Sequence, residues 1–334
     1  MTIDQQGAPE RRRLLGLQYL RAVAATGVVA FHATEAAGVP WRTGAHGIDL
    51  FFVLSGFLMI AITDGGARPW SFFKDRFLRI APLYWIATGA RIVAGMVGVL
   101  PGIALDLNRL VASFSFIPYG EINARRIVLP ILPVGWTLNI EMFFYTVFAL
   151  ILFLPRCRML ALTVILCGLV IIGFVLHPVG LAAGWTHVLM LEFVAGGWLG
   201  TAWVRPQWRR RIAIGLAVAL GLWLVIPTGR FGVAATLLVA AVLVLEARGL
   251  IPEWRPLLLL GDASYSIYLW QLFPLLLVFR LGMHLHVQPA ILAAVTILVA
   301  LAGGIAAYLL LERPLLTLLR RRRTRRGITV PAGP

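Results

Sequence analysis

Two ionisable side chains, Arg21 and His32, lie within the first long apolar stretch of the chain. Ionisable groups are costly inside a membrane, and those found there commonly have a functional role. The two residues are eleven positions apart, so a helix returns them to within roughly 20° of one face, about 16 Å apart along its axis. The spacing predicts a cation and an imidazole on one helical face without a direct salt bridge. Alternatively, Arg21 extends to a membrane interface and His32 is a hydrogen-bonded core residue.

Two carboxylates lie at a depth similar to that of His32 if neighbouring apolar stretches run in opposite directions. Asp49 lies near the start of the second stretch, three residues after His46, and Glu141 lies near the start of the fourth. A histidine oriented by a carboxylate can take a proton from a hydroxyl near neutral pH, because the ordinary pKa of imidazole is about 6.5. We therefore interpret His32, Asp49 and Glu141 as candidate catalytic residues. A role for Asp49 as a helix cap remains open.

A second group of candidates is cationic and opens the third apolar stretch. Arg76 and Arg79 share a helical face at a spacing of three residues, and Lys74 precedes them. The arginine side chain matches phosphate geometry with two parallel hydrogen bonds. Together with Arg21, these residues predict a site for a phosphorylated cytosolic molecule. A simple topological role would explain some of the same cations.

The amino-acid composition indicates the class of protein in which these groups are positioned. Of the 334 residues, 60% are hydrophobic and 13% are charged, whereas ordinary soluble domains have about 25% charged residues. The chain is therefore predicted to be a polytopic membrane protein. The net charge of +16 arises from arginines between apolar stretches, so we expect a topological signal and no nucleic-acid partner. Cys157 and Cys167 lack metal-ligand spacing, and we expect no metal.

Apolar stretches of about 20 residues predict an all-α protein with about ten transmembrane helices. We expect a short segment at 1–13, a single transmembrane domain at 14–314 and a basic tail at 315–334. The predicted helices lie near 15–36, 46–63, 79–99, 132–154, 159–176, 184–203, 212–227, 231–247, 262–281 and 288–311.

The charges between these helices predict their orientation. With a cytoplasmic N-terminus, 22 of the 30 lysine and arginine residues fall in cytoplasmic segments and six fall outside. Such an excess is typical of cytoplasmic loops. Both termini are therefore expected in the cytoplasm, and the basic tail is expected to contact anionic membrane lipids. In this orientation, Arg21, Arg76 and Arg79 lie towards the inner side of the membrane, and His32 lies towards the outer side.

Five motifs occur in order along nearly the whole chain. They are Arg21-x10-His32, Gly47-Ile-Asp49-Leu-Phe-Phe-Val-Leu-Ser55-Gly56-Phe57, Arg76-Phe-Leu-Arg79, Trp136-Thr-Leu-Asn-Ile-Glu141-Met-Phe-Phe-Tyr145 and Gly261-Asp-Ala-Ser264-Tyr265-Ser266-Ile-Tyr268-Leu-Trp270. In these motifs the sequence resembles the integral membrane acyltransferases of acyltransferase family 3. Its opening Leu17-Gln-Tyr-Leu-Arg21-Ala is most similar to acyltransferases that decorate exopolysaccharides of the succinoglycan type.

This resemblance implies a multi-pass enzyme of the bacterial inner membrane. It would move an acyl group, usually acetyl, from cytosolic acyl-CoA to a hydroxyl of a surface polysaccharide or its lipid-linked precursor, beside the polysaccharide biosynthesis machinery. His32 would be the catalytic base with Arg21 as its motif partner, and Arg76 and Arg79 would hold the CoA phosphates. The further residues expected to line the cavity are Trp136, Asn139, Tyr145, Glu192, Ser264, Tyr265, Ser266 and Gln271.

Several alternatives remain open at this stage. Many relatives have histidine where this chain has Gln271, which puts in doubt any mechanism needing a second histidine there. The hydroxyl can attack the thioester directly, or His32 can be acylated first. The acceptor can instead be a small molecule or a glycolipid. Buried charges of this kind also occur in transporters, so a flippase for a lipid-linked sugar or an exporter of acyl groups is the alternative outside enzymes.

Overall fold

The computed structural model describes residues 14–102, 105–119, 121–122, 127–154, 156–225 and 229–324. The predicted segment 1–13 and the end of the basic tail lie outside these residues. Nearly all of the described secondary structure is helical. The helices are α1 (Leu15–Ala36), α2 (Gly47–Thr63), α3 (Pro69–Met96), α4 (Leu107–Phe114), α5 (Trp136–Ile151), α6 (Arg158–Leu176), α7 (Leu181–Trp185), α8 (Met190–Val204), α9 (Arg209–Trp223), α10 (Gly229–Ala247), α11 (Arg255–Asp262), α12 (Ser264–Trp270), α13 (Leu272–His284), α14 (Pro289–Ala307) and α15 (Arg313–Thr324).

The expected fold class is confirmed in its helical character, while the number of spans is only partly supported. In the described part of the chain, six helical stretches are long and apolar enough to cross a membrane, and α12 with α13 would make a seventh. Helices α1, α3 and α9 occupy the other three predicted spans without meeting that standard. The six stretches are Thr43–Thr63, Pro133–Ile151, Arg158–Leu176, Leu181–Val204, Gly229–Ala247 and Pro289–Leu319.

The ninth predicted span, 262–281, is not one straight helix. Helices α12 and α13 meet at Gln271 with a bend of 48°. Pro274 explains the position of the break, because a proline lacks the N–H for a helical hydrogen bond and its ring clashes with the carbonyl four residues earlier, here that of Trp270. A short π-helical turn, Tyr308–Glu312, similarly separates α14 from α15 just before Pro314.

Helices α2 and α8 are in direct backbone contact at the centre of the fold. A side chain at Gly56 would collide with the backbone of Phe193, and one at Gly196 would collide with the backbone of Val53. Only glycine permits this approach. Aromatic packing extends the contact, since the rings of Phe144 and Phe193 stack with centroids 3.9 Å apart.

The connection between α3 and α5 folds back against the helices. The indole of Trp85 in α3 donates a hydrogen bond to the carbonyl of Phe114 at 2.8 Å, and the N–H of Ile131 donates to the buried hydroxyl of Ser113 at 3.0 Å. The connection contains a small antiparallel hairpin of β1 (Glu121–Ile122) and β2 (Val128–Leu129). Backbone groups that would lie unpaired near the bundle are thereby satisfied.

Two arginines and one aspartate join three helix ends on the predicted cytoplasmic side. Asp64, just after α2, lies 3.2 Å from a guanidinium nitrogen of Arg158 at the start of α6 and 3.8 Å from one of Arg205 after α8. Arg158 also donates to the carbonyl of Thr63, the last residue of α2. These three ends therefore lie together, in agreement with loops predicted on one side of the membrane.

Candidate active site

The predicted site residues do not form one group. We name two groups by their described contacts. The inner polar cluster comprises Arg21, Ser55, Arg76, Arg79, Glu141, Tyr145, Ser264, Ser266 and Glu312. The outer polar cluster comprises His46, Asp49, Asn139, His187 and Glu192.

Glu141 connects α2 and α5 in the inner polar cluster. Its Oε1 accepts hydrogen bonds from the hydroxyl of Ser55 at 2.9 Å and from the hydroxyl of Tyr145, one turn further along α5. Arg21 and Arg76 lie close enough to act on its charge. Ser55 follows Asp49 by six residues on α2, so the contact of Glu141 lies about 9 Å deeper than Asp49 at 1.5 Å per residue. Glu141 therefore lies among hydroxyl groups and arginines.

The side chains of Ser264, Tyr265 and Ser266 connect α12 to three other elements through hydrogen bonds. The guanidinium of Arg21 donates from Nε and Nη2 to the hydroxyl of Ser264, at 3.1 and 3.0 Å. Tyr265 donates to the carbonyl of Ile80 in α3 at 2.8 Å, and Ser266 donates to Glu312 at 2.6 Å. Successive residues of a helix point about 100° apart, so three adjacent side chains can reach α1, α3 and the π-helical turn.

The cations of the third helix differ in their surroundings. Lys74 is exposed, whereas Arg76 and Arg79 are half-buried. The Nε of Arg76 is buried and has no hydrogen-bond partner among the described residues. Arg79 lies close enough to act on the charges of Arg21 and Glu312. One arginine of the cluster thus retains an unused donor.

The outer polar cluster contains a histidine–carboxylate pair formed by His46 and Asp49, which lie three residues apart in the sequence. The Nδ1 of His46 lies 3.3 Å from Oδ2 of Asp49, and the His46 ring stacks on Phe231 with centroids 3.2 Å apart. Asp49 also lies close enough to the buried Glu192 and to His187 to act on their charges.

His32 has an acidic neighbour on its own helix. Its Nδ1 lies 3.9 Å from Oε2 of Glu35, about a turn further along α1, and its side chain is 35% exposed. Asp49 contacts His46, which lies three residues earlier in the chain.

The remaining predicted residues lie at helix packing surfaces. Asn139 is buried, Trp136 is half-buried beside it, and the side-chain amide of Gln271 donates to the carbonyl of Tyr268 at 2.8 Å. Gln271 therefore stabilises the bend between α12 and α13. Among the described residues, no three metal-ligating side chains are arranged to hold an ion.

His187 and Glu312 belong to these clusters without having been expected there. His187 precedes α8 and lies five residues before Glu192, which was a detectable signal because both polar residues border an apolar helix. Glu312 lies two residues before Pro314. Its contact with Ser266 depends on the π-helical turn, which no periodic pattern reveals.

Comparison with known proteins gives one family and several relatives. A family model described as an acyltransferase domain matches residues 14–310. The exopolysaccharide production protein ExoZ of Rhizobium meliloti (strain 1021) is 39% identical over 311 residues, covering 89% of this chain and 98% of that protein. The putative membrane-bound transacylase BcsY of Komagataeibacter xylinus is 27% identical, covering 91% of this chain and 83% of that protein. No solved structure matches.

Proposed function

We propose that this chain, which belongs to acyltransferase family 3 and is an acyltransferase, transfers an acyl group from acyl-CoA to a hydroxyl of an exopolysaccharide or its lipid-linked precursor. The similarity to an exopolysaccharide production protein and to a putative membrane-bound transacylase supports a polysaccharide acceptor. We expect the acyl group to be acetyl. We also propose ten membrane-spanning helices in the bacterial inner membrane, with both termini in the cytoplasm.

The observation that carries the donor assignment is the concentration of arginines in the inner polar cluster. Arg76 and Arg79 lie near the predicted cytoplasmic end of α3. Arg21 and Glu141 are among their electrostatic neighbours. The unused Nε of Arg76 can bind a phosphate oxygen, and exposed Lys74 can meet the charged head of the donor at the membrane surface. Glu141 holds Tyr145 and Ser55 in place beside these arginines.

The chemistry requires a base near the acceptor. In the proposed direct route, His32 takes the proton of the acceptor hydroxyl while its oxygen attacks the thioester carbonyl. The C–O bond of the ester forms, the C–S bond breaks, and the CoA sulfur leaves and takes a proton. In the alternative route, His32 first accepts the acyl group on a ring nitrogen and the hydroxyl then displaces the imidazole. The partial exposure of His32 permits both routes.

The decisive experiment replaces His32 in living cells. A strain lacking this protein is complemented with the wild type, with His32→Ala, or with His284→Ala, whose exposed histidine ends α13 and serves as the matched control. We expect His32→Ala to lower polysaccharide O-acylation by about 100-fold or more, measured by proton NMR of the purified glycan, while His284→Ala retains it. Acylation restored by His32→Ala would exclude His32 as the base. Unchanged glycan in the deletion strain would exclude the acceptor.

A reconstituted assay tests the donor separately. Protein in lipid nanodiscs is mixed with acetyl-CoA and with polysaccharide fragments from which O-acyl groups have been removed by mild alkali. We expect free CoA to appear only when both substrates are present, as detected by a thiol reagent. A transporter would move its cargo without producing an ester, so the absence of acylated glycan would favour that alternative.

A further inference from the structure

A cleft opens on the predicted cytoplasmic side of the fold, where the ends of α2, α5, α6 and α8 meet. It encloses about 190 Å³, whereas roughly 10–15 Å³ is enough for one water molecule. The cleft therefore has room for a group of several non-hydrogen atoms. The turn after α2 lines it with Asp64, Gly66 and Ala67, and the other helix ends contribute Leu152, Arg158 and Arg205.

The two arginines of the cleft differ in how far the protein uses their donors. The guanidinium of Arg158 donates to the carbonyl of Thr63 and to Asp64, and its side chain is 13% exposed. The side chain of Arg205 is 49% exposed, and its Nε lies 3.8 Å from Asp64, beyond the ordinary hydrogen-bond distance of about 3.2 Å. No hydrogen bond joins the Arg205 guanidinium to another described residue. Because a guanidinium is a rigid fork of N–H donors, Arg205 retains donors at the mouth of the cleft.

The charge of the cleft favours an anion. Asp64 is the one carboxylate among the described lining residues, and it is shared between Arg158 and Arg205. Two further exposed arginines, Arg68 and Arg156, lie within two residues of lining positions. Positive charge on this side is expected from topology alone, but a topological signal requires no cleft. A guanidinium fork at the mouth of a cleft matches the oxygens of a phosphate group.

Exposed apolar side chains border the cleft in the sequence. Phe153 and Leu154 directly follow the lining residue Leu152, and Leu160 lies in the first turn of α6. All three are exposed. Apolar surface beside a phosphate site suits a phospholipid, because the acyl chains cover that surface while the headgroup enters the cleft. Basic pockets between membrane helices on the cytoplasmic side are known to bind lipid headgroups in this way.

We propose that this cleft binds the phosphate of an anionic phospholipid of the inner leaflet, held by Arg205 and Arg158. The acyl chains lie along the exposed apolar residues after α5 and at the start of α6. The site is separate from the basic tail at 315–334, and it depends on neither the donor nor the acceptor of the proposed function. A bound headgroup also connects α2, which carries Asp49 and Ser55, to the ends of α6 and α8.

Arg205→Gln tests the charge of the cleft with little risk to the fold, because Arg205 is half-exposed and its contact with Asp64 is long. The full chain, purified in detergent and freed of lipid, is titrated with dioleoyl phosphatidylglycerol or with dioleoyl phosphatidylcholine, and bound lipid is measured by native mass spectrometry. We expect the wild type to prefer phosphatidylglycerol. Arg205→Gln should weaken the binding of phosphatidylglycerol about five-fold, as for one arginine at a membrane surface, and leave that of phosphatidylcholine nearly unchanged.

Arg248→Gln is the matched control. Arg248 is exposed on the same predicted side, just after α10, and does not line the cleft. Its replacement should leave the affinity for phosphatidylglycerol unchanged. An equal loss of affinity in Arg248→Gln would overturn the proposal, and so would a wild type that binds the two lipids equally.

Asp64→Asn separates lipid binding from a purely structural role of the ion pairs. The carboxylate competes with a phosphate for both guanidinium groups, so its removal should tighten the binding of phosphatidylglycerol about five-fold. Arg205→Gln and Asp64→Asn weaken the same contact between helix ends, so a structural role predicts the same direction of change in both variants. Opposite directions support the site, and the same direction in both overturns it.

Soluble phosphates distinguish the source of the bound phosphate. Inorganic phosphate or coenzyme A is added at the same concentration as phosphatidylglycerol. Neither should displace the lipid, because neither has acyl chains to cover the apolar surface. Displacement by either one would overturn the lipid assignment. These measurements involve no acyl transfer, so a failure of the proposed function would leave their outcome unaffected.

Discussion

The two polar clusters differ in how far the protein satisfies its own polar groups. In the inner polar cluster, Glu141 accepts two side-chain hydrogen bonds, and Arg21 and Glu312 each bond a serine. In the outer polar cluster, Asn139 and Oε2 of Glu192 are buried without partners among the described residues. Most of the inner groups are therefore held in place by the protein itself, with the Nε of Arg76 as an exception, whereas two buried side chains of the outer polar cluster retain unpaired polar atoms.

The clusters also differ in charge. Three arginines belong to the inner cluster, and the outer cluster has imidazoles and carboxyl groups as its ionisable members. Arginines suit the phosphates of a CoA donor, while imidazole and carboxyl groups suit a neutral alcohol whose proton must be removed. Given the proposed function, we expect the donor and the acceptor to depend on different clusters, and the following changes test this expectation.

The largest effect is expected where both clusters depend on one contact. Gly196→Ala would force α8 away from the backbone of Val53 in α2, the helix that supplies Asp49 to one cluster and Ser55 to the other. We expect a loss of stability of about 3 kcal/mol, with both donor and acceptor steps impaired. Thermal unfolding in detergent and the nanodisc assay measure the two effects.

Gly215→Ala provides the control for this change, because a side chain at that position in α9 would meet nothing within 4 Å. Its stability should be equal to or slightly above that of the wild type. If Gly196→Ala behaved in the same way, the close packing of α2 on α8 would not be what holds the two clusters.

A paired replacement of carboxylates compares the clusters directly. Glu141→Gln weakens two hydrogen bonds to a charged acceptor beside arginines, and we expect it to lower the free energy of unfolding by about 2 kcal/mol. Asp49→Asn weakens the contact with the partly exposed imidazole of His46 but also relieves the proximity to Glu192, so we expect a change below about 1 kcal/mol. Equal losses in the free energy of unfolding would contradict the difference in hydrogen bonding that we describe between the inner and the outer polar cluster.

The smallest effect is expected from Arg76→Lys, which preserves charge and removes the planar guanidinium. We expect kcat/KM for acetyl-CoA to fall about 10-fold, because a lysine cannot bind a phosphate through two parallel bonds. The KM for the polysaccharide fragments should not change. A rise in that acceptor KM instead would contradict the separation of the two substrates.

Much of the helical architecture follows from the apolar pattern, and the departures have identifiable causes. A helix occupies each of the ten predicted stretches, yet α1 and α3 are not apolar enough to be identified as spans by composition. These two helices carry Arg21, His32, Arg76 and Arg79, so the candidate functional residues themselves weaken the signal. Pro274 in the sequence could have predicted the bend at Gln271.

The pairings within the site were less accessible from the sequence. Helical spacing separates Arg21 from His32, but it cannot reveal that Arg21 bonds Ser264, which lies 243 residues further along the chain. Depth estimated from helix ends is uncertain by a turn or more, since helices tilt and begin at different levels. Helix depth therefore does not predict the contacts of Glu141 with Ser55 and Tyr145.

The sharing of α2 between the two clusters limits how such an enzyme can diversify. The contacts of Asp49 and Ser55 limit which substitutions the polar face of this helix can accept. The glycine contact with α8 limits the substitutions on a second face. None of the described residues that line a shallow pocket between α5, α7 and the connection before α5 belongs to α2. Substitutions in that pocket would therefore leave the contacts of α2 intact, whereas a substitution on α2 would affect both clusters.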